Sequence, residues 1–310
     1  DSALFVSART QEADGIISIE LRDPHGADLP EWQPGAHIDV ELGPEKIVRQ
    51  YSLCGDPRDR SVLKVAILRE AEGRGGSVLA HRVEEGQTVR LRGIRNHFEL
   101  TGAPSFVFIA GGIGVTPLLP MIEEVERLGL PWELHYVGRS RRSMAFADTL
   151  EARFGSTVTV YPKDEGMGLE LLTVLTGRDA DTGIYACGPA RLLDAFEAAG
   201  EAAGLVPHVE RFTASVDAVF DSVDDTAFDV YLEQSGVTIT VEPGQSILDV
   251  AEAAGADVFG SCLEGICGTC ETRVLAGVPV HRDSVLNGQQ TGTMMICVSR
   301  SAGALLTLDA

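Results

Sequence analysis

Four cysteines near the end of the chain, Cys262, Cys267, Cys270 and Cys297, follow the spacing C-x4-C-x2-C-x26-C. Three thiolates on one tight loop and a fourth returned from a distant strand form the ligand pattern of a plant-type 2Fe–2S cluster. Glycines Gly260, Gly265 and Gly268 let that loop fold tightly and turn its N–H groups toward sulfur. A zinc site usually joins two C-x2-C units, and one occurs here. A disulfide framework belongs to small cysteine-dense chains, whereas this one holds 6 cysteines in 310 residues. A cluster of this kind carries one electron, so the other motifs should show where that electron comes from.

Three further motifs carry chemistry. Arg49-Gln50-Tyr51-Ser52-Leu53 reads as a strand, with Arg49, Tyr51 and Leu53 on one face and Gln50 and Ser52 on the other. Those residue types suit a flavin: Arg for its phosphate, Tyr beside its ring, Ser near its reactive nitrogen. The stretch Gly73-Arg74-Gly75-Gly76-Ser77 offers amides and a hydroxyl to the same phosphate; the plainer reading is a flexible loop. Gly111, Gly112 and Gly114, ahead of Thr116 and Pro117, mark a strand-to-helix turn where a backbone can approach a pyrophosphate. Pro117 stands where the last glycine of G-x-G-x-x-G would be, so this turn alone could be purely structural. Cys187-Gly188-Pro189 ends a later strand, at the sheet edge where ligands bind. A lone buried cysteine such as Cys187 is usually core; its place at a strand end favours a cofactor-facing role.

The elements that must position these groups fall into three patterns. Residues 3–9, 16–21, 37–42, 49–53, 63–68 and 88–92 read as short strands between Gly, Pro and Asp turns, predicting a small antiparallel β-barrel. From residue 105 strands alternate with helices: strands at 106–110, 132–137, 157–161 and 184–187, helices at 118–128, 145–153 and 191–203. That alternation predicts an α/β domain with a parallel sheet that binds a nucleotide. Residues 214–226 read as a polar linker, followed by a hairpin at 229–232 and 237–241 and a helix at 247–254 that leads into the cysteine loop. The expected division is 1–102 flavin barrel, 103–213 nucleotide domain, 214–226 linker and 227–310 ferredoxin domain of α+β (β-grasp) type.

Composition sets the limits. The net charge of −21 argues against nucleic acid and anionic membrane as partners. Mean hydropathy of +0.07 is that of a globular chain, and no apolar run reaches membrane length. Thiolate ligands point to a reducing cytoplasm. The chain begins at Asp1 without a methionine, as a piece cut from something longer would. Residues 215–310 hold 14 acidic residues against 3 arginines and no lysine, a net of −11. That density is either generic solubility or a steering field toward a basic partner.

Taken together, Arg-x-Tyr-Ser-Leu, Gly-Gly-Ile-Gly-Val-Thr-Pro, Cys-Gly-Pro and a C-terminal plant-type ferredoxin loop occur here in that order. The chain resembles the phthalate dioxygenase reductase family, within the ferredoxin–NADP reductase superfamily, over essentially its whole length. The resemblance implies a relay: NADH passes a hydride to FMN, and the flavin delivers electrons singly to the 2Fe–2S cluster and on to an oxygenase. It implies that Arg49 and Ser77, with Gly75 and Gly76, hold the FMN phosphate. Tyr51 and Ser52 would then meet the ring, and Ala66, Ile67 and Leu68 would offer it backbone hydrogen bonds. Thr116 and Cys187 would flank the nicotinamide, and Phe212 would stack near the flavin. After the second sheet strand no acid stands ready for a ribose 2′-hydroxyl; Arg139, Arg141 and Arg142 would suit NADPH, but the resemblance favours NADH. The acceptor is expected to be a Rieske-type oxygenase or demethylase, or else a haem-thiolate monooxygenase. A reading of another class is an iron–sulfur redox sensor without enzymatic activity, which two nucleotide-type turns oppose.

Overall fold

The computed structural model describes residues 2–44, 46–70, 75–212, 225–286 and 292–310. Gly73 and Arg74, and all but the last two residues of the expected linker, lie outside these. The chain divides into two compact units, Asp1–Glu210 and Arg211–Ala310. Among the described residues no helix is long and apolar enough to cross a membrane.

The first unit opens with β1 (Ser2–Ala13), β2 (Ile16–Arg22), β3 (His37–Leu42), β4 (Ile47–Ser52), β5 (Leu63–Leu68), helix α1 (Gly76–Ala80) and β6 (Thr88–Arg95). The strands pair antiparallel in the order β4-β3-β6-β1-β2-β5. The two edges then meet: Leu53 bridges Val65, and the Cys54 amide donates to the Lys64 carbonyl at 2.9 Å. Closure removes both edges near that point and encloses Leu4, Val6, Ile19, Ile38, Val40, Val65 and Leu91. Each such side chain contributes about 1.5–3 kcal/mol by leaving water.

The same unit continues with β7 (Phe106–Gly111), α2 (Leu118–Arg127), β8 (Trp132–Gly138), α3 (Ala147–Phe154), β9 (Val158–Pro162), α4 (Leu171–Leu175), β10 (Gly183–Cys187), α5 (Ala190–Ala202) and β11 (Pro207–Glu210). All neighbours are parallel, in the order β11-β10-β7-β8-β9. Alternation along β7 sends Phe106, Phe108 and Ala110 into one core with α2 and α3, and Val107 and Ile109 into another with α4 and α5. The chain leaves β7 in one direction to β8 and reaches β10 on its other side, so the C-terminal ends of β7 and β10 flank the topological switch point. Helix α4 and strand β11 were not anticipated from sequence.

The second unit contains β12 (Phe228–Leu232), β13 (Val237–Val241), α6 (Ile247–Ala253), β14 (Glu271–Ala276), β15 (Pro279–Val280), β16 (Thr293–Met295), β17 (Arg300–Ser301) and β18 (Leu305–Leu308). Its main sheet runs β13-β12-β18-β14-β16, with β12 and β18 parallel and the other pairs antiparallel. Ser246 caps α6 by accepting from the Asp249 amide at 3.0 Å, and the helix buries Ile247, Leu248 and Ala251 against Met294, Ile296 and Leu306. A mixed sheet gripping one helix is the expected ferredoxin-type fold, and the predicted hairpin and helix are where the sequence placed them.

Candidate active site and metal centre

The flavin-type motif lies on β4 and α1. Gly75 is left-handed at φ 78, and Gly76 lies against the Arg49 side chain: a Cβ there would stand 2.3 Å from Arg49 Nε. Arg49 is thus laid across the start of α1, where Ser77 Oγ accepts from the Glu70 amide at 3.0 Å. Gln50 donates to Asp39 at 2.7 Å and belongs to the barrel wall. Leu53 is fully buried core. The Tyr51 ring packs on the barrel core, yet its hydroxyl is buried without a hydrogen-bond partner among the described residues. Burial pushes that phenol above its usual range. A buried donor left unpaired is costly, so this position fits a ligand that supplies an acceptor.

Strand β5 carries Ala66, Ile67 and Leu68, the residues expected beside the ring. Lys64 O faces the closing strand, and Arg69 N donates to Gly15 O on the β2 side at 2.8 Å. Period-two alternation therefore turns the backbone groups of Ala66 and Leu68 to the open edge and those of Ile67 toward β2. The Ile67 carbonyl also meets His81 Nε2 at 2.9 Å. His81 ends α1, so one imidazole ties that helix to β5. No sequence signal marked it.

At the switch point the glycines act on each other. A Cβ on Gly114 would stand 2.2 Å from the Cys187 carbonyl oxygen, and one on Gly188 would stand 2.9 Å from Gly111 Cα. A Cβ on Gly111 would meet Pro189 at 2.6 Å. These residues lock the two nucleotide-type turns together, and Gly112, at φ 56 with open space around it, faces away from that contact. Thr116 is buried, its hydroxyl donating to Ile113 O at 3.0 Å.

Barrel and sheet converge on a residue the sequence reading passed over. Ser52 Oγ donates to Glu210 Oε2 at 3.2 Å, and Cys187 Sγ lies 3.9 Å from the same oxygen. Parallel register places Cys187 directly beside Glu210. Burial pushes the Glu210 carboxyl up to about 8, against hydrogen bonds from Ser52 and Cys187 that lower it. Burial first, then the Glu210 charge, pushes the Cys187 thiol well above its usual range, so it is no nucleophile at neutral pH. An acid at the end of the edge strand, beside Cys187, was the available signal. Between the two halves Ile16, Ala66 and Ala145 pack with Ile113 and Phe146, and Arg142 pairs with Asp14 at 2.7 Å. Arg141 is also engaged, with Asp148 and Glu151.

In the second unit all four cysteines of the motif are buried and unpaired by disulfides. Cys262 is in hydrogen-bond contact with Cys267 and Cys297, and Cys297 with Cys270. Amides of Glu264 and Thr269 point at Cys262 and Cys267 sulfur at 3.3 and 3.5 Å. Contacts from Cys267 and Cys297 hold Cys262 low, while the neighbouring Cys262 and then burial push Cys267 up. Cys297 is likewise pushed up by its cysteine neighbours and then by burial. Four thiolates cannot share such a nest unaided, which fits an iron–sulfur cluster whose positive charge offsets theirs. Among the described residues no set of His, Cys, Asp and Glu forms a site for a single metal ion. Phe212 is the second residue of the second unit and is 38% exposed.

Residues 230–302 match the 2Fe–2S iron–sulfur cluster binding domain. The chain is 43% identical over 316 residues to phenoxybenzoate dioxygenase subunit beta of Ectopseudomonas oleovorans, covering 99% of this chain and 97% of that protein. A solved phthalate dioxygenase reductase, described as modular for electron transfer from pyridine nucleotides to [2Fe–2S], matches at 34% identity and TM-score 0.72, over 100% of this chain and 98% of that one. An intact type IV self-sufficient cytochrome P450 monooxygenase matches at 44% identity and TM-score 0.92, over 99% of this chain but only 41% of that longer one. The chain belongs to the phthalate dioxygenase reductase family, and is an NADH-dependent oxidoreductase of the oxygenase-reductase type whose cofactors are FMN and a 2Fe–2S cluster.

Proposed function

We propose that this chain takes electrons from NADH and delivers them one at a time to a separate Rieske-type oxygenase or demethylase in the cytoplasm. The observation that carries the reading is the convergence of Ser52, from the flavin-type barrel strand, and Cys187, from the nucleotide-type turn, on Glu210. In this reading residues 1–102 hold the flavin, 103–213 the nicotinamide and 227–310 the cluster, with 214–226 as linker. A second reading, reductase module of a haem-thiolate monooxygenase, is favoured by the likeness to the self-sufficient P450 chain.

When bound, FMN accepts a hydride from NADH and the 2Fe–2S cluster passes its electrons on singly. The residues do the positioning. Arg49, Gly75, Gly76 and Ser77 hold the phosphate, Tyr51 supplies its unpaired hydroxyl, and Ala66 and Leu68 present backbone groups to the ring. Gly111, Gly112, Gly114, Gly188 and Pro189 shape the dinucleotide turn, and Thr116 and Cys187 bound the nicotinamide. Ser52 keeps its proton directed at Glu210 Oε2. With its carboxyl near 8, Glu210 stays protonated at neutral pH and sets no fixed negative charge against an incoming hydride. The family resemblance assigns Phe212 to stacking near the flavin. Two of the three arginines after β8 are engaged by Asp14, Asp148 and Glu151, which leaves little for a 2′-phosphate and supports NADH.

Anaerobic titration with NADH tests this. Flavin and iron–sulfur bands should both bleach, with about three electrons taken up per chain. A flavin that bleaches while the cluster band persists breaks the relay at that link.

A further inference from the structure

We propose that Leu263 is the apolar contact through which the cluster-bearing unit meets a basic, electron-accepting protein; the proposal rests on the relay reading above. Leu263 directly follows the ligand-type residue Cys262, and its backbone is left-handed at φ 59. That conformation has a local reason, because it turns the next amide, that of Glu264, onto Cys262 sulfur at 3.3 Å. The side chain has no such reason. A Cβ is penalised in the left-handed region and glycine is not, yet the position holds a leucine that is 44% exposed. Its Cδ2 folds back over Gly260, 3.2 Å from where a Cβ would stand, and Phe259, the residue preceding that glycine, is itself 45% exposed. Two large apolar side chains stand open on the cysteine loop, one in a conformation it disfavours. Neither feature serves the core, and together they suit the centre of an interface.

Charge indicates the partner. Residues 215–310 carry a net of −11, and the same short stretch holds Asp257 and Glu264. Of the three arginines, Arg282 is bound to Asp225 at 3.0 Å and Arg300 is buried against the carbonyls of Gln245 and Thr226. Arg273 alone is exposed, so one surface arginine stands against the acidic residues of this unit. That balance fits a partner whose apolar contact is rimmed by lysine and arginine. In each encounter the reduced cluster gives up one electron and returns to its oxidised form, and the partner's metal centre gains that electron.

The test uses the whole chain with flavin and cluster bound. Cytochrome c, a small basic haem protein, serves as the docking probe, and ferricyanide as an acceptor that needs no apolar contact. Leu263→Gly suits the backbone and removes the side chain; Leu263→Met keeps an apolar group. Leu263→Gly should raise KM for cytochrome c about five- to tenfold. It should leave ferricyanide turnover and NADH-driven cluster bleaching unchanged, while Leu263→Met stays near wild type. Wild-type reduction of cytochrome c should slow as ionic strength rises. A Leu263→Gly KM within about twofold of wild type overturns the proposal. So does slower cluster bleaching, which would make the chain's own flavin unit the occupant, or loss of cluster absorbance, which would make the leucine structural. If the wild-type cluster does not bleach with NADH, the relay reading falls and this proposal with it.

Discussion

The Ser52 hydroxyl donates to Oε2 of the Glu210 carboxyl across 3.2 Å, although they lie 158 positions apart in the chain. One belongs to the closing strand of a barrel, the other to the edge strand of a parallel sheet. Their meeting joins the barrel to the parallel sheet at the point where the proposed reading puts hydride transfer, a step in which positioning accounts for most of the rate.

Ser52→Ala should slow flavin bleaching by NADH about 10- to 100-fold in stopped flow, with the oxidised flavin spectrum retained. Equal rates in wild type and variant would remove Ser52 from the reacting geometry.

Glu210 gives a pH signature. Its folded carboxyl near 8 lies above the ordinary 4.5, so the folded chain holds this proton more tightly than the unfolded one. The resulting stabilisation is complete below about pH 4.5 and is lost as pH rises through 8. Glu210→Gln should therefore gain on wild type in urea midpoint as pH goes from 5 to 9, and should lose any rate dependence near pH 8. A difference that stays constant with pH would show that this carboxyl does not titrate there.

The switch-point glycines differ in kind. Gly114→Ala drives a methyl into the Cys187 carbonyl and should cost about 2–4 kcal/mol or prevent folding. Gly112→Ala meets open space and bears only its left-handed φ, about 1 kcal/mol. Denaturant midpoints of the two variants compare them directly, and the reverse order would contradict the packing described.

Tyr51→Phe separates ligand binding from folding. The hydroxyl has no partner among the described residues, so its removal should leave apoprotein stability unchanged or raised. FMN affinity should fall about tenfold by fluorescence titration. Unchanged affinity would place the hydroxyl away from the flavin.

Nucleotide choice follows from ion pairs. Because Arg141 and Arg142 are held by carboxylates, kcat/KM for NADH should exceed that for NADPH by about tenfold or more. Releasing Arg141 through Glu151→Gln should narrow the gap, and a preference for NADPH in wild type would refute the assignment.

Local pattern was enough for most barrel strands, most of the α/β elements and the motif positions, but not for α4, β11 or β14 to β18. Alternation and turn residues marked the barrel strands, the strand–helix period marked the nucleotide-type domain, and cysteine spacing marked the cluster loop, because each depends on neighbours a few residues apart. Glu210 and His81 were not legible in this way. Glu210 matters only because parallel register sets it beside Cys187 and barrel closure brings Ser52 to it. His81 matters because α1 carries its ring to the Ile67 carbonyl. Gly111 and Gly114, expected to let the backbone approach a pyrophosphate, are required in the fold by each turn's approach to the other. Which side chains meet across two sheets depends on closure, register and crossover, and those are properties of the packed chain that no stretch of its sequence contains.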